Sequence, residues 1–315
     1  MNRELHPPPT DFGALLTLAA RQAVRKQPRA ALVVPSSQTW LTAFDQVIRQ
    51  GLVDPTIIGD EQLLDRHRSE FGLELQGAKV IDINQPRMAW ITAAQMAARG
   101  ELDLIVKGRG STIEFLHCIL DKDAHFVDHG RCLSHIGVFK PELYSKLLMI
   151  TDGGVVPQPD LQTKVALISN LIGLAAALGI NMPRIAVIAA VEAIYPQMAA
   201  TTDAAVLAKM CDRGQIKGAY VDGPLSFDVA IDPVAAQAKG IVDSEVAGRA
   251  DAMVASNIET ANGVIRAMAL YGRAEVGGLL FGGRVPVALG NRWDTPSMRL
   301  SSLVLGILAA QRQMP

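Results

Sequence analysis

The sequence predicts an α/β protein made of two α/β domains, and three observations lead to this fold class. Short β-branched runs alternate with helical stretches along the chain, and several of those stretches stop at a glycine. Hydrophobic residues make up 49% of the chain but aromatic residues only 5%, so the core is aliphatic, as in buried parallel sheets. The repeated strand–helix order implies a parallel sheet that helices cover on both faces.

The first part of the chain alternates four helices with four strands. Gly51 and Gly100 follow the second and the fourth helix, as expected for residues that end helices. A glycine-rich turn, 107–110, follows the last of these strands. The predicted helices are 12–26, 38–50, 60–71 and 87–99, and the predicted strands are 30–35, 55–59, 79–83 and 102–106.

The second part begins with a different pattern. Strands at 134–140 and 147–151 are separated by a short segment, a spacing typical of an antiparallel pair. Asp160 and Thr202 are each placed to cap a helix. The other predicted helices are 161–178, 203–212, 232–239, 258–271 and 296–311, and the other strands are 185–190, 219–222, 252–255, 279–281 and 285–289. Two blocks without a flexible linker predict domains packed across a ligand-binding cleft.

Charge and cysteine content exclude several classes of protein. The 315 residues contain 30 Lys and Arg and 31 Asp and Glu, a net charge of −1, which argues against a nucleic-acid partner. The three cysteines, Cys118, Cys132 and Cys211, form no C-x-x-C pair, so we expect neither disulfides nor a zinc site but a reducing cytoplasm. The first nine residues lack an apolar segment, and no apolar run is long enough to span a bilayer, so neither a signal peptide nor a membrane partner is predicted.

The turn 107–112 is the first candidate site. It follows a predicted strand and precedes a helix, so its backbone N–H groups and the helix N-terminus point at one place, which suits an anion. Lys107, Arg109, Ser111 and Thr112 are its candidate binding residues. An ordinary glycine-rich turn with Ser111 or Thr112 as the helix cap explains the same residues about as well.

The segment 291–295 is the second candidate site. Arg292 suits bidentate hydrogen bonding to phosphate. Asp294, two residues further along the chain, is able to act as a base. The competing interpretation is that Asp294 or Thr295 only caps the last helix.

Further candidates are weaker by themselves. The segment 222–228, with Asp222 and Asp228, follows a buried strand, but its Gly-Pro pair also explains a plain β-turn. His135 is one histidine at the start of a strand. We find no Walker sequence, no G-x-S-x-G elbow and no ligand spacing of a metal site.

Taken together and in order, these strings resemble the phosphate acetyl/butyryltransferase family, in particular its shorter, butyryl-type branch. Each string is weak alone, but their order and spacing hold over nearly the whole chain. The matching strings are Lys107-Gly108 with Thr112, 133–139, 151–155 with 159–161, 190–192, 212–216, 222–228, 243–248, 257–262, 283–286 and 291–295.

The resemblance implies a two-domain fold like that of isocitrate and isopropylmalate dehydrogenases, with the active site in the cleft. It implies domains at 1–132 plus 291–315 and at 133–290, with the last helix returning to the N-terminal domain. The implied reaction moves a short acyl group, acetyl to butyryl, reversibly between coenzyme A and phosphate. The implied enzyme is a homo-oligomer, a dimer, without a bound cofactor, a metal or a covalent acyl-enzyme.

The residues that this reaction would use can be named. Arg292 and the 107–112 turn suit the charge of an acyl phosphate, and Asp294 is placed to take the proton of the thiol. Asn291 would donate a hydrogen bond to an oxyanion. The other predicted substrate-binding residues are Arg131, Ser134, His135, Asp222 and Asp228.

Two positions depart from the family pattern. Asn291 stands where the family has a serine, and His117 stands where it usually has an arginine, which removes a fixed positive charge. Two alternatives therefore stay open. One is an acyltransferase that uses acyl-carrier protein in place of coenzyme A, and the other is a family member that binds coenzyme A or acyl phosphate without turnover.

Overall fold

The computed structural model describes residues 7–313, so the predictions that fall on residues 1–6 and 314–315 lie outside the described residues. The chain divides into two compact units. Leu15–His135 together with 275–313 form what we call the N-terminal unit. Residues 7–14 together with Ile136–Ala274 form what we call the central unit.

Strands and helices alternate through both units. The strands are β1 (Arg29–Val33), β2 (Asp54–Gly59), β3 (Lys79–Asp82), β4 (Leu104–Lys107), β5 (Ser134–Lys140), β6 (Leu148–Thr151), β7 (Arg184–Ile188), β8 (Tyr220–Leu225), β9 (Ala252–Val254), β10 (Glu275–Phe281) and β11 (Val287–Leu289). The helices are α1 (Phe12–Ala23), α2 (Gln38–Arg49), α3 (Glu61–Phe71), α4 (Pro86–Ala98), α5 (Thr112–Ile119), α6 (Leu161–Ala177), α7 (Ala199–Asp212), α8 (Phe227–Ile231), α9 (Pro233–Ala238), α10 (Ile258–Leu270) and α11 (Pro296–Gln313).

The sheet of the N-terminal unit has the strand order β3-β2-β1-β4-β11-β10. Its first five strands run parallel, and β10 pairs antiparallel with β11. The last helix, α11, packs on β10, β11 and β4 and against α2. Small residues permit this close packing, since a methyl group at Gly306 would lie 2.7 Å from a methyl group of Leu104. The final segment therefore packs in the N-terminal unit.

The central unit has the strand order β5-β6-β9-β7-β8. β5 and β6 form the expected antiparallel pair, and the other strands are parallel. The Gly-Pro pair lies inside β8, which continues to Leu225, so the interpretation of 222–228 as a plain β-turn is wrong. A side chain at Gly223 would come within 2.7 Å of the Val187 carbonyl oxygen, which explains the glycine.

The boundaries of the units differ from the predicted domains. The prediction assigned 133–290 to the second domain, whereas 275–290 belong to the N-terminal unit. The reason is hydrogen bonding, because β11 pairs with β4 and β10 pairs with β11.

Two predicted helices also differ. Helix α7 begins at Ala199, so Thr202 is not its cap, and its hydroxyl donates to the Ala199 carbonyl instead. The predicted helix 232–239 is the shorter α9, which Asp232 caps through the N–H of Val234.

Candidate active site

Two strands of the N-terminal unit end side by side at the candidate site. β4 and β11 are parallel neighbours, with Val287 opposite Ile105 and Ala288 opposite Val106. The carboxyl ends of parallel strands share one edge of a sheet, where α/β proteins build their sites. The 107–112 turn and the 290–295 loop, far apart in sequence, therefore begin at the same edge.

Glycines let the 107–112 turn pass close to its neighbours. A side chain at Gly108 would overlap the carbonyl oxygens of Val33 and Val34, and one at Gly110 would overlap the ring of Trp90. The turn ends at Ser111, whose hydroxyl accepts a hydrogen bond from the Glu114 N–H and caps α5. Ser111 is thus a helix cap, which by itself neither supports nor contradicts its predicted binding role.

Lys107 ends β4 with a buried ammonium group that is 5% exposed as a residue. Its Nζ donates to the Gly110 carbonyl oxygen at 2.8 Å and lies 5.9 Å from the centre of the Phe115 ring. Within residues 7–313 no carboxylate forms an ion pair with it. Burial, followed by the charges of Arg299 and Arg292, lowers the pKa of Lys107 to about 8. Three positive groups are therefore close enough to interact.

Asp294 is the buried carboxylate of the 290–295 loop. Its Oδ2 accepts a hydrogen bond from the Asn291 N–H at 2.8 Å and lies 3.5 Å from Nη1 of Arg299. Burial raises the pKa of Asp294, and the charge of Arg299 opposes that shift. A buried carboxylate of raised pKa is a stronger base than an exposed one, which suits proton transfer.

Thr295, rather than Asp294, caps α11. Its hydroxyl oxygen accepts a hydrogen bond from the Met298 N–H at 3.3 Å. Its carbonyl oxygen accepts one from the Arg299 N–H at 3.1 Å. The carboxylate of Asp294 takes no part in that cap. The interpretation of Asp294 as the helix cap is therefore wrong, and its buried acid needs another explanation.

The remaining groups of the loop differ in exposure. Arg292 is exposed and makes no ion pair among the described residues, so its guanidinium is available to an anion. Asn291 is half-buried, and its backbone holds both Asp294 and Arg299. Sequence reasoning missed Arg299. The available signal was a charged residue inside the apolar run of the last helix.

The other predicted residues of the N-terminal unit range from exposed to fully buried. Arg109 and Arg131 are exposed. Ser134 is fully buried. Burial lowers the pKa of His135 to about 4, so its ring is neutral at physiological pH and supplies no charge to an anion. His117 is exposed on α5, and Thr112 is the first residue of that helix.

Asp222 and Asp228 belong to the central unit. Asp222 accepts hydrogen bonds from the Ser244 hydroxyl and from the Gly223 N–H. The pKa of Asp228 is lowered, chiefly by a hydrogen bond with Ser226, whose hydroxyl also donates to Glu192. Each of the two carboxylates thus has polar partners of its own in the central unit, and their role in binding substrate stays a prediction.

Neither a metal-ligand cluster nor a membrane span is found where the structure describes the chain. Between residues 7 and 313 no group of three or more His, Cys, Asp or Glu side chains could hold a metal ion. No helix in the same part of the chain combines the length and the apolar character needed to cross a membrane.

The charges of Arg299 and Arg292 act on Lys107, and Arg299 also lies 3.5 Å from the buried carboxylate of Asp294. Positive groups gathered at the edge of an α/β sheet suit the binding of an anion. Comparison with known proteins makes the class specific. Residues 85–300 match the family described as Phosphate acetyl/butaryl transferase. The chain belongs to this family.

Individual relatives agree with this assignment. The chain is 35% identical to the phosphate butyryltransferase of Clostridium beijerinckii over 284 residues, which cover 90% of this chain and 93% of that protein. A phosphotransacetylase structure from Streptococcus pyogenes superposes with a TM-score of 0.79 at 19% identity, covering 95% of this chain and 99% of that one. A Salmonella typhimurium protein proposed to be a 4-hydroxythreonine-4-phosphate dehydrogenase superposes with a TM-score of 0.56 at 15% identity. The superposition covers 90% of this chain and 100% of that one. The dehydrogenase-like fold class is thus confirmed.

Proposed function

We propose that this chain transfers a short acyl group, acetyl to butyryl, reversibly between coenzyme A and inorganic phosphate. The observation that carries the proposal is the site just described, in which the charges of Lys107, Arg292 and Arg299 interact beside the buried Asp294. Such a site attracts a small, highly charged anion and also provides a base. Membership of the family supplies the class of reaction.

The chemistry can be written for the direction that consumes acyl phosphate. The thiol of coenzyme A gives its proton to Asp294, and the sulfur attacks the carbonyl carbon of the acyl phosphate. The C–S bond forms, the C–O bond to phosphate breaks, and phosphate leaves with the bonding electron pair. Lys107 and Arg292 stabilise the charge on the leaving phosphate, and the Asn291 side chain donates to the transient oxyanion.

The reverse direction needs the same groups. Phosphate attacks the thioester carbonyl, the C–S bond breaks, and the thiolate takes a proton back through Asp294. A thiol has a pKa near 8.5, so a base of raised pKa beside it lowers the cost of this transfer. Holding both substrates together supplies much of the remaining acceleration, since well-oriented reactions reach effective molarities of about 10⁵ M or more.

The decisive experiment measures phosphate-dependent release of free coenzyme A from acyl-CoA substrates of two to six carbons, with a thiol reagent as the reporter. We expect release that requires phosphate and favours one chain length. If the protein is active only with an acyl-carrier-protein donor, the acyl carrier is that protein and not coenzyme A. Tight binding of coenzyme A without turnover on any chain would favour a regulatory binder.

We also propose that the protein works in the cytoplasm as a homodimer, with acyl-CoA and phosphate as its partners and no bound cofactor. Three cysteines without a disulfide support a reducing compartment. The dimer rests on the family resemblance, and sedimentation at several protein concentrations tests it.

The affinity for phosphate is expected to weaken above pH 8. The pKa of Lys107 is about 8, so above that pH its ammonium loses the proton and the site loses a positive charge. Phosphate is a dianion throughout this range, so the KM for phosphate should rise about fivefold between pH 8 and pH 9. Arginine stays protonated, so the Lys107→Arg variant should show a flat profile. Steady-state kinetics with phosphate varied at each pH provide the measurement, and an identical rise in both proteins would contradict the assignment.

A further inference from the structure

Arg299 is a buried arginine in the first turn of α11, and its side chain reaches back to the loop before the helix. The residue is 5% exposed. Its Nη2 donates to the carbonyl oxygen of Asn291, and its Nη1 lies 3.5 Å from Oδ2 of Asp294. The guanidinium carbon lies 4.6 Å from the centre of the Trp40 ring. An aromatic face and the loop thus hold the guanidinium together.

The chain makes room for this arrangement. A side chain on Gly290 would overlap both Nη1 of Arg299 and Oδ2 of Asp294. A buried charge is costly unless it is paired and hydrogen-bonded, yet Nε and Nη1 of Arg299 lack a hydrogen-bond partner in the described part of the chain. An aliphatic residue would fill this position at lower cost, as at most other buried positions of α11. Contact with the loop is therefore the reason for the charge.

We propose that Arg299 is a positioning residue that fixes the Asn291–Asp294 loop through the Asn291 carbonyl and keeps the Asp294 carboxylate ionised. The inference rests on the proposed function and deepens it, since it concerns how the base of that reaction is prepared. Arg299 acts through Asn291 and Asp294 rather than by touching substrate.

The charges around Asp294 determine the sign of the expected effect. Arg299 is the nearest cation and opposes the raised pKa of Asp294, while it also lowers the pKa of Lys107. Its removal therefore raises both pKa values. The other charged groups on the elements packed here are Arg292 on the loop, Glu275 on β10, which accepts from Ser301, and the Asp45–Arg49 pair on α2.

The test compares Arg299→Met with the wild-type protein over pH 5 to 10. We expect kcat at pH 7 to fall at least tenfold, and both limbs of the kcat/KM profile to move to higher pH, by about one unit on the acid side. A residue that only supported the fold would lower the melting temperature without moving the two limbs together.

Two further variants separate the two roles of Arg299. Arg299→Lys keeps the charge but not the planar fork, so the limbs should stay near the wild-type pH while kcat falls several-fold. Arg312→Met removes an exposed arginine of the same helix and serves as the matched control, which should match the wild type. If Arg299→Met does not fold, Trp40→Leu loosens the guanidinium from its aromatic face and should move the acid limb in the same direction.

The two proposals fail in different ways. If the wild-type protein shows no acyl transfer from any donor, the proposed function fails, and NMR titration of the labelled Asp294 carboxyl still tests the role of Arg299. A rise in the apparent pKa of Asp294 in Arg299→Met supports positioning. Folded Arg299→Met with wild-type limbs and an unchanged Asp294 titration would overturn it.

Discussion

Replacing Asp294 by asparagine is expected to lower kcat by about 10² to 10⁴-fold while acyl-CoA binding changes little. Asparagine has nearly the same shape as aspartate. In the wild-type protein Oδ2 of Asp294 accepts a hydrogen bond from the Asn291 N–H at 2.8 Å, and the side-chain oxygen of asparagine can still accept it. What it loses is the ability to take the thiol proton. The measurements are single-turnover rates and the dissociation constant of acyl-CoA, each on protein of confirmed fold.

The acid limb of the pH profile gives an independent reading of the same variant. Because Asp294 is the proposed titrating base, the limb that reports its protonation should disappear in Asp294→Asn. The matched control is Asp65→Asn, which removes an exposed carboxylate of α3 and should leave kcat unchanged. Near-normal turnover in folded Asp294→Asn would leave Asp294 with only a structural role in the loop.

Replacing Arg292 by lysine should mainly affect the phosphate substrate. Lysine keeps the charge but loses the planar fork that holds two phosphate oxygens at once. Losing part of a charge-assisted hydrogen bond costs about 1.5–3 kcal/mol. That cost corresponds to a fall in kcat/KM of about tenfold to somewhat more than a hundredfold. Steady-state kinetics with each substrate varied in turn should show a raised KM for phosphate or acyl phosphate.

The KM for coenzyme A is the comparison that shows whether the Arg292→Lys effect is specific to phosphate. The KM for coenzyme A should stay nearly constant, and Arg25→Lys, on the exposed surface of the same unit, should change neither constant. A raised KM for coenzyme A with an unmoved KM for phosphate would mean that Arg292 contacts the coenzyme A phosphates. The anion site would then have to be sought at Arg109, Arg131 or the 107–112 turn.

Local chemistry explains why much of the fold was predictable from sequence. The antiparallel β5–β6 pair and the helix that Asp160 caps follow from alternation and from hydrogen bonds within a few residues. The start of α7 was missed, because Thr201 and Thr202 bond to preceding carbonyls instead of capping the helix. Such bonds depend on the path of the preceding loop, which a periodic pattern does not contain.

Part of the candidate site could be predicted from the sequence, and part could not. The order of the strings was enough to indicate the family, and residue chemistry was enough to nominate Arg292, Asp294 and the 107–112 turn. The role of Arg299 was not accessible in this way, because a lone charge in an apolar helix does not reveal its partners. Its contacts with Asn291 and Trp40 join residues 8 and 259 positions away in the chain.

The sequence by itself determined the alternating α/β pattern and indicated the family, and it nominated residues for phosphate binding and proton transfer. These follow from residue type, spacing and short-range hydrogen bonds. Only the tertiary structure decided that 275–290 belong to the N-terminal unit and that Thr295 rather than Asp294 caps α11. It also decided the direction in which the pKa values of Lys107 and Asp294 shift. The physical reason is that strand pairing and burial are made by residues distant in sequence, and burial among such residues sets both pKa values.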